Sequence, residues 1–174
     1  MGNPVLRRIA SRVEDPKAPF VAELLADMRE KLAESGGIGL AAPQIAELHR
    51  VILVSVPKLR TTADEDDGEM PVTALINPEI TAIGEEVSLG WEGCLSIPGW
   101  RGKVPRWQRL RLKATLEDGS QLETVISGMR ARVVQHEVDH LDGVLYLDRM
   151  QDFKDLGFTE EIMEAKLAER EGEG

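Results

Sequence analysis

The sequence predicts an α+β fold, with mostly antiparallel sheets packed around a central helix and further helices near the N- and C-terminal ends. Three observations predict it. Apolar residues recur at helical spacing over 19–35 and again over 129–141, while residues 50–125 between them are rich in β-branched side chains. The dipeptide Asp118-Gly119 separates two long runs within that stretch and favours a tight hairpin turn, hence antiparallel pairing.

Taken in order, residues 19–35 form the first helix, with Val21, Leu24, Leu25, Met28 and Leu32 on its core face and Gly36-Gly37 stopping it. GGIGLAAPQ at 36–44 reads as a helix-ending turn or as a loop whose backbone touches a ligand. Its G-x-G-x-x-A spacing is no dinucleotide fingerprint, because that pattern follows a strand and opens a helix, and here a helix precedes and a strand follows. RVILVSV and TALINPEI are strands, and the acidic DEDDGE at 64–69 is a solvated loop. Residues 129–141 return to helical spacing, with Val133, Val134, Val138 and Leu141 apolar. Thr159 caps a last helix with Glu160 and Glu161 in its first turn and Ile162, Met163 and Leu167 packing inward. No repeat or linker interrupts the chain, so residues 1–174 read as a single domain, of which 160–174 is an acidic C-terminal helix or tail.

Composition excludes several functions. With 31 acidic against 21 basic residues the net charge is −10, which leaves no general basic surface for DNA or RNA. One cysteine makes no intrachain disulfide, and no apolar run approaches the ~20 residues of a membrane span. A reducing cytoplasm is expected, with no secretory signal and no membrane attachment.

The chemistry concentrates in QHEVDH. His136 and His140, four apart, share one helical face, and Glu137 stands beside them: the H-E-x-x-H arrangement of two metal ligands and a general base. A third ligand is required. Downstream Glu160, Glu161 or Glu164 are candidates, as in zinc peptidases. Cys94, flanked by glycines in WEGCLSIPG, is the other candidate, against its reading as a small buried hydrophobe.

GIGLAAPQ at 37–44, EGCLS at 92–96 and QHEVDHLDG at 135–143 together resemble the three signature motifs of the peptide deformylases, in that family's order. The resemblance extends from NPVLR near the start, through LINPEI at 75–80 and VPR at 104–106, to about Met150. It implies removal of the N-formyl group from nascent polypeptides that begin with formylmethionine, with release of formate, in the cytoplasm or in an organelle whose translation starts with formylmethionine. It further implies Cys94, His136 and His140 as ligands of one divalent ion, typically Fe(II), with zinc, nickel or cobalt able to occupy the same site. One thiolate and two neutral imidazoles leave such an ion a net charge of +1, enough to polarise water, and Glu137 then carries the proton from water to the leaving amine.

By the same resemblance the Gln44 amide and the Leu95 backbone N–H stabilise the charge on the formyl oxygen. Gly39 pairs with the extended peptide, Ile38, Met129 and Val133 line the methionine pocket, and Arg101 steadies the substrate. Asp139 anchors its helix through a buried hydrogen bond or ion pair. Trp91 and Trp100 shape the cleft or simply pack, and His49 is a surface residue. Transient ribosome association is a family trait, although the acidic tail argues against docking through a basic helix. Two rival readings are a zinc peptidase with a downstream glutamate ligand and a non-catalytic metal- or peptide-binding relative.

Overall fold

The structure is a computed structural model that describes residues 1–172, with side chains described through residue 165. Its main elements are α1 (Pro19–Ser35), β1 (Gly39–Ala41), β2 (Val51–Val56), β3 (Met70–Ala82), β4 (Val87–Cys94), β5 (Ile97–Trp107), β6 (Arg109–Thr115), β7 (Gln121–Ser127), α2 (Gly128–Leu141), α3 (Tyr146–Arg149), β8 (Leu156–Phe158) and α4 (Thr159–Gly172). The strands form a five-stranded sheet in the order β1-β2-β3-β6-β7 and a three-stranded sheet in the order β4-β5-β8, antiparallel throughout. This is the α+β class expected. The β6–β7 hairpin turns at Asp118-Gly119, where Gly119 has φ 87°.

Helix α1 begins on Pro19, whose fixed φ suits the first turn, and ends at Gly36 in the left-handed region with φ 63°. Its five apolar residues pack with Leu40, Val51, Leu53, Ala74 and Ile76. Ile52, Val54, Val56 and Leu75, alternating with those, face the other way and pack with Val133, Val134, Val138 and Leu141 of α2. Strands β1–β3 are therefore covered on both faces, which is why VILVSV is apolar except at Ser55, whereas β6 alternates buried and exposed residues. α2 also contacts β5 of the smaller sheet, so it lies between the two sheets, and ten of its fourteen residues are buried.

Two expectations are corrected. The loop at 64–69 is not simply solvated: Asp67 is 1% exposed, and its carboxylate accepts the backbone N–H groups of Met129 and Arg130, both at 3.0 Å, and of Thr62 at 2.7 Å. Ser127 makes no side-chain cap, so α2 is capped from 62 and 63 residues away in sequence by an acid that also complements its dipole. Gly128, with φ 53°, admits this contact, since a Cβ there would stand 2.3 Å from Asp67 Oδ2. Met163 does not pack inward; it is 49% exposed and lines a cleft. The side chain of Leu167 lies outside the described residues.

Candidate metal centre and cleft

The cleft, of about 850 Å³, opens between β1, the β4–β5 turn and α2. Its lining includes Ile38, Gly39, Gln44, Cys94, Leu95, Arg101, Met129, Val133, His136 and Glu137, so nearly every site residue expected from the sequence meets there. His140, 1% exposed, lies below the lining, and Leu95, 42% exposed, sits at the tip of the β4–β5 turn. Trp91 and Trp100 also line the cleft, Trp100 against Phe158 with ring centroids 4.2 Å apart.

Strand β4 delivers Cys94 and helix α2 delivers His136 and His140, and the ligand atoms of the three lie within 4.8 Å of one another. Cys94 Sγ is 3.3 Å from His140 Nε2. A tetrahedral ion with metal–sulfur and metal–nitrogen bonds of about 2.3 and 2.0–2.1 Å needs ligand atoms roughly 3.4–3.6 Å apart, so the donor set fits a divalent metal. Glu160, Glu161 and Glu164 are exposed on α4 and take no part, which removes the downstream-glutamate ligand set.

Glu92, two residues before Cys94 and on the same face of β4, organises the centre from behind. Its carboxylate lies 2.9 Å from His136 Nδ1, takes a two-pronged ion pair from Arg106 at 2.9 Å for each contact, and meets Arg132 Nη1 at 2.8 Å. Burial alone would raise the Glu92 carboxyl, but the His136 and Arg106 hydrogen bonds overcome it and hold it down at about 2. As a carboxylate it accepts the Nδ1 proton, which leaves Nε2 as the free ligand nitrogen of His136. Arg132 reaches Glu92 across Gly90, where a Cβ would stand 2.7 Å from the guanidinium carbon. Asp139 binds Arg106 Nη1 at 2.6 Å in a buried ion pair and the half-exposed Arg149 Nη2 at 2.7 Å, and the two contacts fix α2. Gln135 clips the helix to β5 by accepting from Trp107 N at 3.0 Å and donating to Trp107 O at 2.9 Å.

Glu137 is buried with Oε2 free of any partner among the described residues. Burial pushes its carboxyl up to about 7, into the range where a group both takes and gives a proton. Gly39 makes room for it, because a Cβ at that position would stand 2.2 Å from Glu137 Oε1. Burial also carries His140 down to about 3, whereas hydrogen bonds to Cys94 and Glu92 outweigh burial and hold His136 up at about 10. A divalent ion held by Cys94, His136 and His140 would supply the positive charge that the His136 proton carries in the metal-free cluster.

Gln44 closes the near wall. Its Oε1 accepts from Ala41 N at 2.8 Å, which turns the amide nitrogen toward Ser96 Oγ at 3.3 Å and Cys94 Sγ at 3.5 Å. The GGIGLAAPQ segment that holds it is not a loop alone, because Gly39–Ala41 is the edge strand of the larger sheet and a 3-10 turn over Ala42–Ile45 follows. Glu92 and Arg106 were not assigned roles from sequence, although both lie in quoted motifs; the signal available was the two-residue spacing of Glu92 from Cys94.

A thiol and two imidazoles converging beside an unpartnered buried carboxylate, in a cleft edged by an open strand, define a metal-dependent hydrolase. The sequence model of the polypeptide deformylase family matches residues 1–155. Peptide deformylase 1 of Prochlorococcus marinus is 44% identical over 170 residues, covering 98% of this chain and 88% of that protein. Among solved structures, the Met-Ala-Ser-bound class I type b peptide deformylase of Acinetobacter baumannii aligns with TM-score 0.76 at 37% identity, over 86% of this chain and 94% of its own. Peptide deformylase of Ehrlichia chaffeensis aligns with TM-score 0.80 at 28% identity, over 98% and 93%. The chain belongs to the polypeptide deformylase family, and it is an enzyme of that family.

Proposed function

We propose that this chain removes the N-formyl group from formylmethionine-initiated nascent peptides, releasing formate and a free amine, and that residues 1–174 act as one catalytic domain. The observation that carries the reading is Glu137, whose buried Oε2 has no partner among the described residues and which stands beside the Cys94, His136 and His140 cluster. Those three residues would hold one divalent ion. Fe(II) is the proposed occupant, with zinc, nickel or cobalt as substitutes, since thiolate and imidazole suit all four. Such an ion supplies electrophilic activation of water and of the formyl carbonyl.

The protein's own groups do the rest. Glu137 takes a proton from the attacking water and passes it to the amine nitrogen as the C–N bond breaks, a role typically worth ~10²–10⁴ in rate. The Gln44 amide nitrogen and the Leu95 backbone N–H meet the charge that develops on the formyl oxygen. Ile38, Met129 and Val133 receive the methionine side chain, the open edge of β1 at Gly39 pairs with the peptide backbone, and Arg101 steadies the chain beyond it.

Among the described residues no helix is long and apolar enough to cross a membrane, and the cytoplasm or an organelle with formylmethionine-initiated translation is the proposed location. Transient contact with the ribosome would use a surface other than α4, whose first turns expose Glu160, Glu161 and Glu164. The test is formate release from formyl-Met-Ala-Ser by Fe(II)-loaded protein handled without oxygen. Release that disappears in a metal-loaded Glu137→Ala variant supports the reading; no release from the fully loaded parent overturns it.

A further inference from the structure

The cleft carries a second charged feature that the reaction does not use. Arg60 lines it, is exposed, and its guanidinium pairs with no described residue. This is unexpected on an acidic loop, and the structure shows why. Asp64 and Glu65 lie 3.8 and 4.0 Å from Arg109, Asp66 is bound to the same guanidinium, and Asp67 is engaged by three backbone N–H groups. Asp64, Asp66 and Asp67 are committed elsewhere, the exposed Glu65 turns toward Arg109, and Arg60 remains available to a ligand.

Its position follows from the strand register. Ser55 N donates to Ile38 O at 2.8 Å, so β2 runs out beside Ile38 and Gly37, and the 3-10 turn Lys58–Arg60 follows directly, closed by Arg60 N on Pro57 O at 2.8 Å. Gln44 and its Cys94 contact lie at the opposite end of the β1 segment. A peptide whose formyl group sits at the cluster and whose backbone follows the open edge of β1 carries its later residues toward Arg60. The lip that bears Arg60 is fixed in place, because Asp67 ties Thr62 to the first turn of α2 and Arg130 binds the carbonyls of Gly68 and Glu69.

We propose that Arg60 is a specificity-determining residue that favours formylated peptides with an acidic side chain at the second or third position. The inference rests on the deformylase reading. An exposed ion pair of this kind is worth roughly a two- to fivefold preference, and it weakens as salt screens it.

The experiment compares kcat/KM for formyl-Met-Asp-Ser and formyl-Met-Ala-Asp with that for formyl-Met-Ala-Ser, at low and high salt, in the parent, Arg60→Ala, Arg60→Glu and Arg12→Ala. Arg12→Ala removes the same charge outside the cleft lining, where Arg12 pairs with Glu79 at 2.9 Å. The expected result is an acidic-to-neutral ratio above one in the parent, carried by KM, reduced by salt, lost in Arg60→Ala, inverted in Arg60→Glu and kept in Arg12→Ala. A ratio that is unchanged in Arg60→Ala, or that falls equally in Arg12→Ala, overturns the inference while leaving the deformylase reading intact. Failure of the parent to hydrolyse any of the three peptides overturns the deformylase reading itself.

Discussion

Glu92 and His136 are joined by a 2.9 Å contact between a carboxylate held at about 2 and an imidazole Nδ1, across 44 residues of sequence. The pairing decides which nitrogen of His136 faces the cluster. Glu92→Gln keeps the size of the side chain but removes the charge that fixes the tautomer and supports the ligand. Metal affinity is expected to fall ~10–100-fold, as measured by chelator competition. An unchanged affinity would remove Glu92 from the account of the centre.

Arg106 stands between two buried acids, with Glu92 on one side and Asp139 on the other. Truncation by Arg106→Ala leaves both without their main counter-charge in a region where water is scarce. The expected loss is about 3–5 kcal/mol in urea unfolding at neutral pH. A loss below about 1 kcal/mol would show that Arg132 and Arg149 compensate fully.

Gly39→Ala tests a steric relation rather than a bond. The added methyl has no room beside Glu137 Oε1, so the carboxylate must move or β1 must shift. Turnover should fall by ~10² or more while metal content stays at the parent level. Full activity in the alanine variant would mean that the carboxylate works from some other position.

Asp67 gives a pH signature for stability. Although burial opposes it, the backbone N–H groups of Met129, Arg130 and Thr62 hold its carboxyl below the ordinary range in the folded chain. Its contribution is therefore present above the unfolded carboxyl value, about 3.9, and is lost as pH falls through the lower folded value. Asp67→Ala should cost roughly 1–2 kcal/mol at pH 7, by analogy with other helix caps, and progressively less below pH 4. Urea unfolding curves across that range would contradict this if the gap between parent and variant stayed constant.

Local signals were legible in the sequence and distant pairings were not. Residues 19–35 carried their helix in spacing and a glycine stop, and the three motifs brought Cys94, His136, Glu137 and Gln44 to one cleft as expected. The polar face of 129–141 hid its surroundings: a pattern such as QHEVDH ordinarily marks a solvated side, yet here it is buried because each polar group meets a partner from another element. Asp67 looked like one more acid in a charged run, since nothing nearby in sequence announces the N–H groups that it binds. Met163 was read as core from its hydrophobicity, whereas β8 and the cleft leave that face of α4 open.

The placement of α2 between two sheets has a consequence for how activity arises. Cys94 and Glu92 come from one sheet and Gly39 from the other, so a chain with only one sheet docked lacks either the cluster or the slot for Glu137. A half-assembled molecule is therefore inert rather than weakly active, and the appearance of turnover during refolding reports the last docking event.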